Sequence, residues 1–320
     1  MPVRLIRAPD LERACPMADA IDAVAAGFVA LSAGRAHVPV RIGGPIAQGG
    51  GAHAMPATLD GSPYFSVKVV AVTPGAVAAG LPLINATVLL GDAVTGAPLA
   101  ILEGSSLTAL RTGAAGGVAA RALAAADASV LALFGAGAQA RTQLAAALAV
   151  RPIAEVRVVT RDPRHAADFV TWARGAYPDV RFGAANADAA VEGAHIAVTA
   201  TTGATPVFSG DRLGPGVHLT AVGAFRPETR ELDEAAMRGA RIVVDQRAGA
   251  LHEAGELAGL GPGDVVELGE VLAGTVPGRT SPAQRTVFKS VGNGIQDLVV
   301  AALAYERVVA MGLGEEIRWP

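Results

Sequence analysis

Residues 129–140 read Ser-Val-Leu-Ala-Leu-Phe-Gly-Ala-Gly-Ala-Gln-Ala. An apolar run that ends in G-x-G-x-x-A and enters a helix-forming stretch leaves few folds open. In this pattern Gly135 makes a tight turn, Gly137 lets the backbone approach a pyrophosphate, and Ala140 permits close helix–strand packing. The helix N-terminus at Ala138 and Gln139 offers unpaired N–H groups to phosphate oxygens. The motif therefore reads as a dinucleotide site at the first turn of a βαβ unit. The residues that follow agree. A strand over Glu155–Thr160 and a helix over Pro163–Arg174 precede short apolar runs at Val180–Phe182, His195–Thr199, His218–Val222 and Arg241–Val244. Strands alternating with helices predict a parallel sheet. An NAD site usually carries an acidic residue at the end of the second strand. Thr160 and Arg161 hold that place here and Asp162 falls late. Arg161 can pair with a 2′-phosphate, so NADP(H) is favoured and NAD(H) remains open.

The first third has a different rhythm. Apolar residues at Ile21, Val24, Ala25, Phe28 and Leu31 have helical spacing. Strands are expected over Val38–Ile42, Tyr64–Val72, Asn85–Leu90 and Pro98–Leu102, with Thr95-Gly96 as a hairpin turn. That is an α+β pattern with a mixed or antiparallel sheet. A helix capped by Ser105 or Ser106 follows, and Val287–Met311 reads as a long apolar helix that packs back on this first part. The fold class is thus α/β: a Rossmann dinucleotide-binding domain plus an α+β domain.

Three cations stand on mainly apolar elements. Lys68 lies inside Phe65–Val72, Arg41 inside Val38–Ile42, and Arg111 follows Leu107-Thr108-Ala109-Leu110. A lysine in mid-strand either faces solvent or points into a site, and a buried arginine needs an anionic partner. Together the three suggest a pocket for a small carboxylate, although each alone would serve as a structural ion pair.

Composition excludes other classes. The 320 residues carry a net charge of -3, with no basic patch for nucleic acid. No 18-residue run is free of charged or turn residues, so no membrane span is expected. The six histidines, His37, His53, His165, His195, His218 and His252, show no metal-ligand spacing, so no metal is expected. A lone Cys15, in a segment that reads as polar, and a start without a continuous apolar core fit a cytoplasmic setting. Trp172 and Trp319 read as packing residues.

In their order, several segments resemble the ornithine cyclodeaminase/μ-crystallin family. They are Met55-Pro56-Ala57, Ser66–Val70, Leu107–Thr112, the Gly135 turn with Gln139-Ala140-Arg141, Ala221-Val222-Gly223 with Glu231-Leu232-Asp233, Glu267–Glu270, and Thr286–Gly292. The resemblance implies a homodimer. It implies a discontinuous substrate-binding and dimerisation domain (1–114 and 293–320) around a central Rossmann domain (115–292). It implies that Arg41, Lys68 and Arg111 bind a substrate carboxylate, with Lys68 catalytic. Thr112, Val222 and Gly223 would lie near the cofactor, and Lys289 and Ser290 at the nicotinamide edge. Cyclodeaminases of the family carry an Asp just after the Val-Gly turn, where Phe225 stands here. The chain therefore resembles the ketimine reductases more, with a cyclic imino acid as substrate. Ornithine cyclodeaminase, alanine dehydrogenase and a non-enzymatic binding protein are the other readings.

Overall fold

The computed structural model describes residues 2–318, so Trp319 lies outside the described residues. The chain forms two compact units. It leaves the first between Arg111 and Thr112 and returns to it between Gly292 and Asn293.

The first unit opens with β1 (Pro2–Ile6), α1 (Ala8–Ala14), α2 (Met17–Ser32), β2 (Ala36–His37) and β3 (Ile42–Ile46). It continues with β4 (Gly50–Leu59), β5 (Tyr64–Val72), α3 (Pro74–Ala78), β6 (Ile84–Asp92) and β7 (Pro98–Glu103). Strands β1, β7, β6, β5, β4 and β2 are neighbours in that order, and β3 also pairs with β4. The sheet is mixed, because β1 runs parallel to β7 while the remaining pairs are antiparallel. The expected strand Val38–Ile42 is not formed: residues 38–41 link β2 to β3. Pro39 has no N–H for a ladder there. Strand β4 was not expected at all, because Gly50-Gly51 and Pro56 break the β signal. The helix α4 (Gly104–Leu123) starts one residue before Ser105, and neither serine caps it. Instead the Glu103 carboxylate accepts the backbone N–H groups of Ser105 and Ser106, both at 2.8 Å.

The second unit begins within α4 and builds a sheet of eight strands. In chain order it holds β8 (Val130–Phe134), α5 (Ala138–Val150), β9 (Glu155–Val159), α6 (Pro163–Ala176), β10 (Arg181–Ala184), α7 (Ala187–Val191) and β11 (Ile196–Thr199). Then come β12 (His218–Ala221), α8 (Glu234–Met237), β13 (Arg241–Val244), α9 (Arg247–Glu253), β14 (Val266–Glu267), α10 (Leu268–Leu272) and β15 (Thr286–Lys289). The order is β10-β9-β8-β11-β12-β15-β13-β14, and every pair is parallel. Leu131 and Leu133 of β8 join one core with Leu144 and Phe169, while Ala132 and Phe134 join another with Phe208 and Leu219. Both faces are covered, which is why β8 reads as a continuous apolar run.

The chain returns to the first unit through α11 (Gly294–Ala310) and β16 (Glu315–Arg318), which pairs antiparallel with β1. The expected helix over Val287–Met311 is thus two elements. Its first residues are the fully buried central strand β15, and a short apolar run cannot be told from a helix by periodicity alone. Helix α11 packs on α2 and on the inner face of β4 and β5. A side chain at Gly294 would collide with the Pro56 carbonyl at 2.8 Å, so glycine lets the first turn of α11 lie against β4.

Loss of the α4 cap in Glu103→Ala should cost about 1 kcal/mol of stability, read as a lower thermal midpoint, with a smaller loss for Ser105→Ala.

Candidate active site

Alternation along β5 sets the site of the first unit. Ser66, Lys68 and Val70 point to the buried inner face, while Val69 points outward and is 56% exposed. Lys68 pairs across the sheet with Met55 on β4 and Val88 on β6. It is 1% exposed, so the solvated reading of this lysine is excluded. The first turn of α11 covers it. The Lys68 ammonium lies 2.9 and 2.8 Å from the two carboxylate oxygens of Asp297, which is fully buried. Arg111, on α4, donates from Nε to the same carboxylate at 3.1 Å and from Nη1 to Gln296 Oε1 at 2.8 Å. Arg41 precedes β3, whose Ile42 pairs with Ala54, so continued register sets Arg41 opposite Met55 and in the row of Lys68.

One carboxylate thus faces two cations, Lys68 and Arg111. Burial, then the charge of Arg111, brings the Lys68 ammonium down to about 7; Asp297 opposes the shift and Arg41 adds to it. An amine poised there is at once a hydrogen-bond donor to an anion and a proton donor near neutrality. Asp297 and Gln296 were missed in the sequence. Asp297 carried the signal that marked Lys68 and Arg111, a charged residue on an apolar element, and neutral Gln296 carried none.

In the second unit the dinucleotide turn has the geometry its motif requires. Gly135 has φ +114°, and a side chain there would meet the Ala200 carbonyl at 2.4 Å. A side chain at Gly137 would enter open space above the turn, the space a phosphate takes. Helix α5 has no side-chain cap and no acidic residue in its first turn. Its first N–H groups, at Ala138, Gln139 and Ala140, have no helical partner. These residues fit a bound pyrophosphate. Thr112 is buried, and its carbonyl accepts the Gln143 amide at 2.9 Å, tying α4 to α5.

At the end of β9, Arg161 is exposed and Thr160 Oγ1 donates to the Asp162 carbonyl at 2.7 Å. The Asp162 carboxylate accepts the Arg164 N–H at 3.0 Å and pairs with its guanidinium at 2.7 Å. Lys289 is fully buried and donates to the Ala224 carbonyl at 2.6 Å, with Glu256 3.1 Å away. Its ammonium is therefore committed inside the unit, and it anchors the loop that carries Val222, Gly223 and Phe225. Ser290 Oγ donates to Asp245 at 2.7 Å. Phe225 is half-buried, with the Arg226 guanidinium 5.8 Å above its ring. Cys15 is buried rather than set in a polar segment, and burial pushes its thiol up to about 11, which removes it as a nucleophile. No cluster of metal-ligating side chains occurs among the described residues. Among them no single helix is long and apolar enough to cross a membrane.

A Rossmann sheet with this turn, joined to an α+β unit with a buried cation cluster, defines a dinucleotide-dependent oxidoreductase. Residues 4–312 match the ornithine cyclodeaminase/mu-crystallin family, and the chain belongs to it. It is 38% identical to a Delta(1)-pyrroline-2-carboxylate reductase of Bacillus cereus, over 98% of this chain and 99% of the relative. It is 34% identical to an alanine dehydrogenase of Archaeoglobus fulgidus, over 100% of this chain and 99% of the relative. The Delta(1)-pyrroline-2-carboxylate reductase of Thermococcus litoralis, solved with NADH and L-proline, superposes with a TM-score of 0.94 at 36% identity, covering 98% of this chain and 100% of that one.

Removing a buried counterion should hurt more than removing one of several cations. Asp297→Ala should lose about 3 kcal/mol at pH 7, and Lys68→Met clearly less because Arg111 still pairs with Asp297. Chemical denaturation of the two variants ranks them.

Proposed function

We propose that the chain reduces cyclic ketimines with NAD(P)H, taking Δ1-pyrroline-2-carboxylate to L-proline and Δ1-piperideine-2-carboxylate to L-pipecolate. The observation that carries this reading is the surplus of buried positive charge on Lys68 and Arg111 over Asp297, to which the charge of Arg41 adds its field at Lys68. A substrate carboxylate supplies the missing anion, and the guanidiniums of Arg41 and Arg111 suit its paired oxygens. When bound, the dinucleotide supplies the hydride that reaches ketimine C2. Lys68 donates one proton to the ring nitrogen and recovers it from solvent. The balance is ketimine, NAD(P)H and a proton in, and cyclic amino acid and NAD(P)+ out. Arg111 and Arg41 hold the carboxylate still, so the chain's own part is orientation and charge.

The absence of a carboxylate at Phe225 weighs against ornithine cyclodeamination, which must handle a second amine. Alanine dehydrogenation uses the same carboxylate pocket with pyruvate and ammonia, and the likeness to the Archaeoglobus enzyme keeps it as the second reading. For the cofactor, exposed Arg161 and an Asp162 already paired with Arg164 favour a 2′-phosphate, hence NADP(H); the NADH in the Thermococcus structure favours NAD(H). A homodimer is supported by the outer face of the first sheet. Ile42, Ala54 and Val69 form one cross-strand row there, and Ile42 is 68% exposed. A cytoplasmic location fits the lone buried thiol.

The first assay follows absorbance of NADPH and of NADH with Δ1-pyrroline-2-carboxylate, beside pyruvate with ammonia and an ammonia assay on L-ornithine. Fast consumption with the ketimine alone establishes the reading; ammonia from ornithine, or faster turnover of pyruvate, overturns it. Lys68→Ala and Arg111→Ala should each lose about 100-fold or more in kcat/KM while staying folded.

The pH profile has a definite sign. The protonated form of Lys68 is the active one, and it is lost as pH rises through about 7. Ketimine kcat/KM should therefore fall roughly tenfold per unit above that point. The bound carboxylate favours the ammonium, so kcat should hold to higher pH. In Asp297→Asn the kcat/KM fall should begin at lower pH. A flat profile in the wild type would remove Lys68 from proton transfer. For assembly, light scattering should give twice the 32.0 kDa chain mass, and Val69→Lys should shift it toward one chain.

A further inference from the structure

Glu231 lies in the segment after β12 and is fully buried. Its Oε1 accepts the Thr201 backbone N–H at 2.7 Å and the Thr201 hydroxyl at 2.8 Å. Its Oε2 accepts the Thr199 hydroxyl at 2.9 Å and the Gly223 N–H at 2.7 Å. Both oxygens accept twice, which is the pattern of a carboxylate. All four donors are neutral. Lys289 is paired with Glu256, whose other oxygen accepts the Glu231 N–H at 2.7 Å. Lys289, Glu256 and Glu231 together leave one net buried negative charge.

The place of that charge gives it a function. Thr199 closes β11 and Gly223 follows β12, both at the carboxyl ends of parallel strands. Ala200, between the two threonines, is the residue against which the Gly135 turn rests. The strand order reverses between β8 and β11, and in such sheets ligands bind outside the carboxyl ends at that switch point. We propose that Glu231 is a positioning residue for the dinucleotide crevice and that its buried charge favours the oxidised, cationic nicotinamide over the reduced, neutral one. The same field lowers the barrier of ketimine reduction, because positive charge develops as hydride departs. The proposal rests on the dinucleotide reading of the second unit.

Binding of NAD+ and NADH, each without substrate, tests it. Affinities come from calorimetry for NAD+ and from fluorescence for NADH, on wild type, Glu231→Gln and Glu231→Asp. Glu231→Gln keeps the shape and removes the charge. It should weaken NAD+ about tenfold more than NADH, an effect of the size of one buried charge. Glu231→Asp keeps the charge while disturbing the clamp. It should weaken both forms and leave their ratio near that of wild type. If Glu231→Gln weakens both equally, or Glu231→Asp moves the ratio as far as Gln does, Glu231 is only a structural brace and the proposal fails. If Glu231→Gln does not fold, Glu256→Gln decides: it brings the net buried charge of the group to zero, so a shift of the ratio against NAD+ supports the proposal and an unchanged ratio overturns it. A wild type that binds neither nucleotide overturns the dinucleotide reading itself.

Discussion

One buried carboxylate, Asp297, sets the character of the first unit. It faces Lys68 and Arg111 directly and shields their charge from the apolar interior. Such a cluster is stable only with good geometry, since each ion loses several kcal/mol of hydration on burial. Position helps: Asp297 lies in the first turn of α11, where the helix dipole favours an anion. Its single charge does not balance the cations, and the excess falls unequally. A guanidinium cannot give up its proton, so Arg111 stays charged. Burial weighs most on the Lys68 ammonium and the imbalance adds to it, so it titrates near neutrality. A dry pocket and a missing anion thus act on the same amine.

The second unit solves a different problem with related means. Its parallel strands are covered on both faces, so the loops at their carboxyl ends begin in a dry interior with backbone N–H groups to satisfy. Buried carboxylates do this. Glu231 binds the ends after β11 and β12, and Asp245 accepts Ser290 Oγ and the Gly292 N–H after β15, each at 2.7 Å. At the amino end of β8 the corresponding acceptor is an exposed group: His195 Nδ1 takes the N–H groups of Ser129 and Val130.

The legible parts of this chain were those fixed by local chemistry. The Gly135 turn, the β8–α5 step and the alternation of β5 are short-range patterns, and the structure places them within a residue or two of their expected bounds. Lys68 and Arg111 were visible as charges on apolar elements. What the sequence withheld was partnership. Asp297 lies 229 residues from Lys68 and 186 from Arg111, and no spacing rule spans such distances. The serines before α4 looked like caps, but the competing acceptor was the Glu103 side chain at the end of the preceding strand. Strand β15 was absorbed into α11 because four residues, two of them apolar, carry no period of their own. Glu231 stood out only within a segment of the family resemblance, and Glu256 gave no sign, since a carboxylate in a loop normally faces solvent.

Those separations have a consequence for how the pocket comes into being. Lys68 and Arg111 are made early, and their counterion arrives only when the chain has completed the second unit and returned through α11. Until then the two cations lie on a sheet face and a helix that are otherwise apolar. Their hydration opposes closure of that face. Docking of α11 brings the carboxylate together with the apolar cover, Ile295 and Leu298 among it, so neutralisation and burial occur in one event. An α11 without the carboxylate would bury the same apolar surface and strand two charges beneath it. The sequence order places the residue that completes the electrostatics of the pocket on the element that seals it.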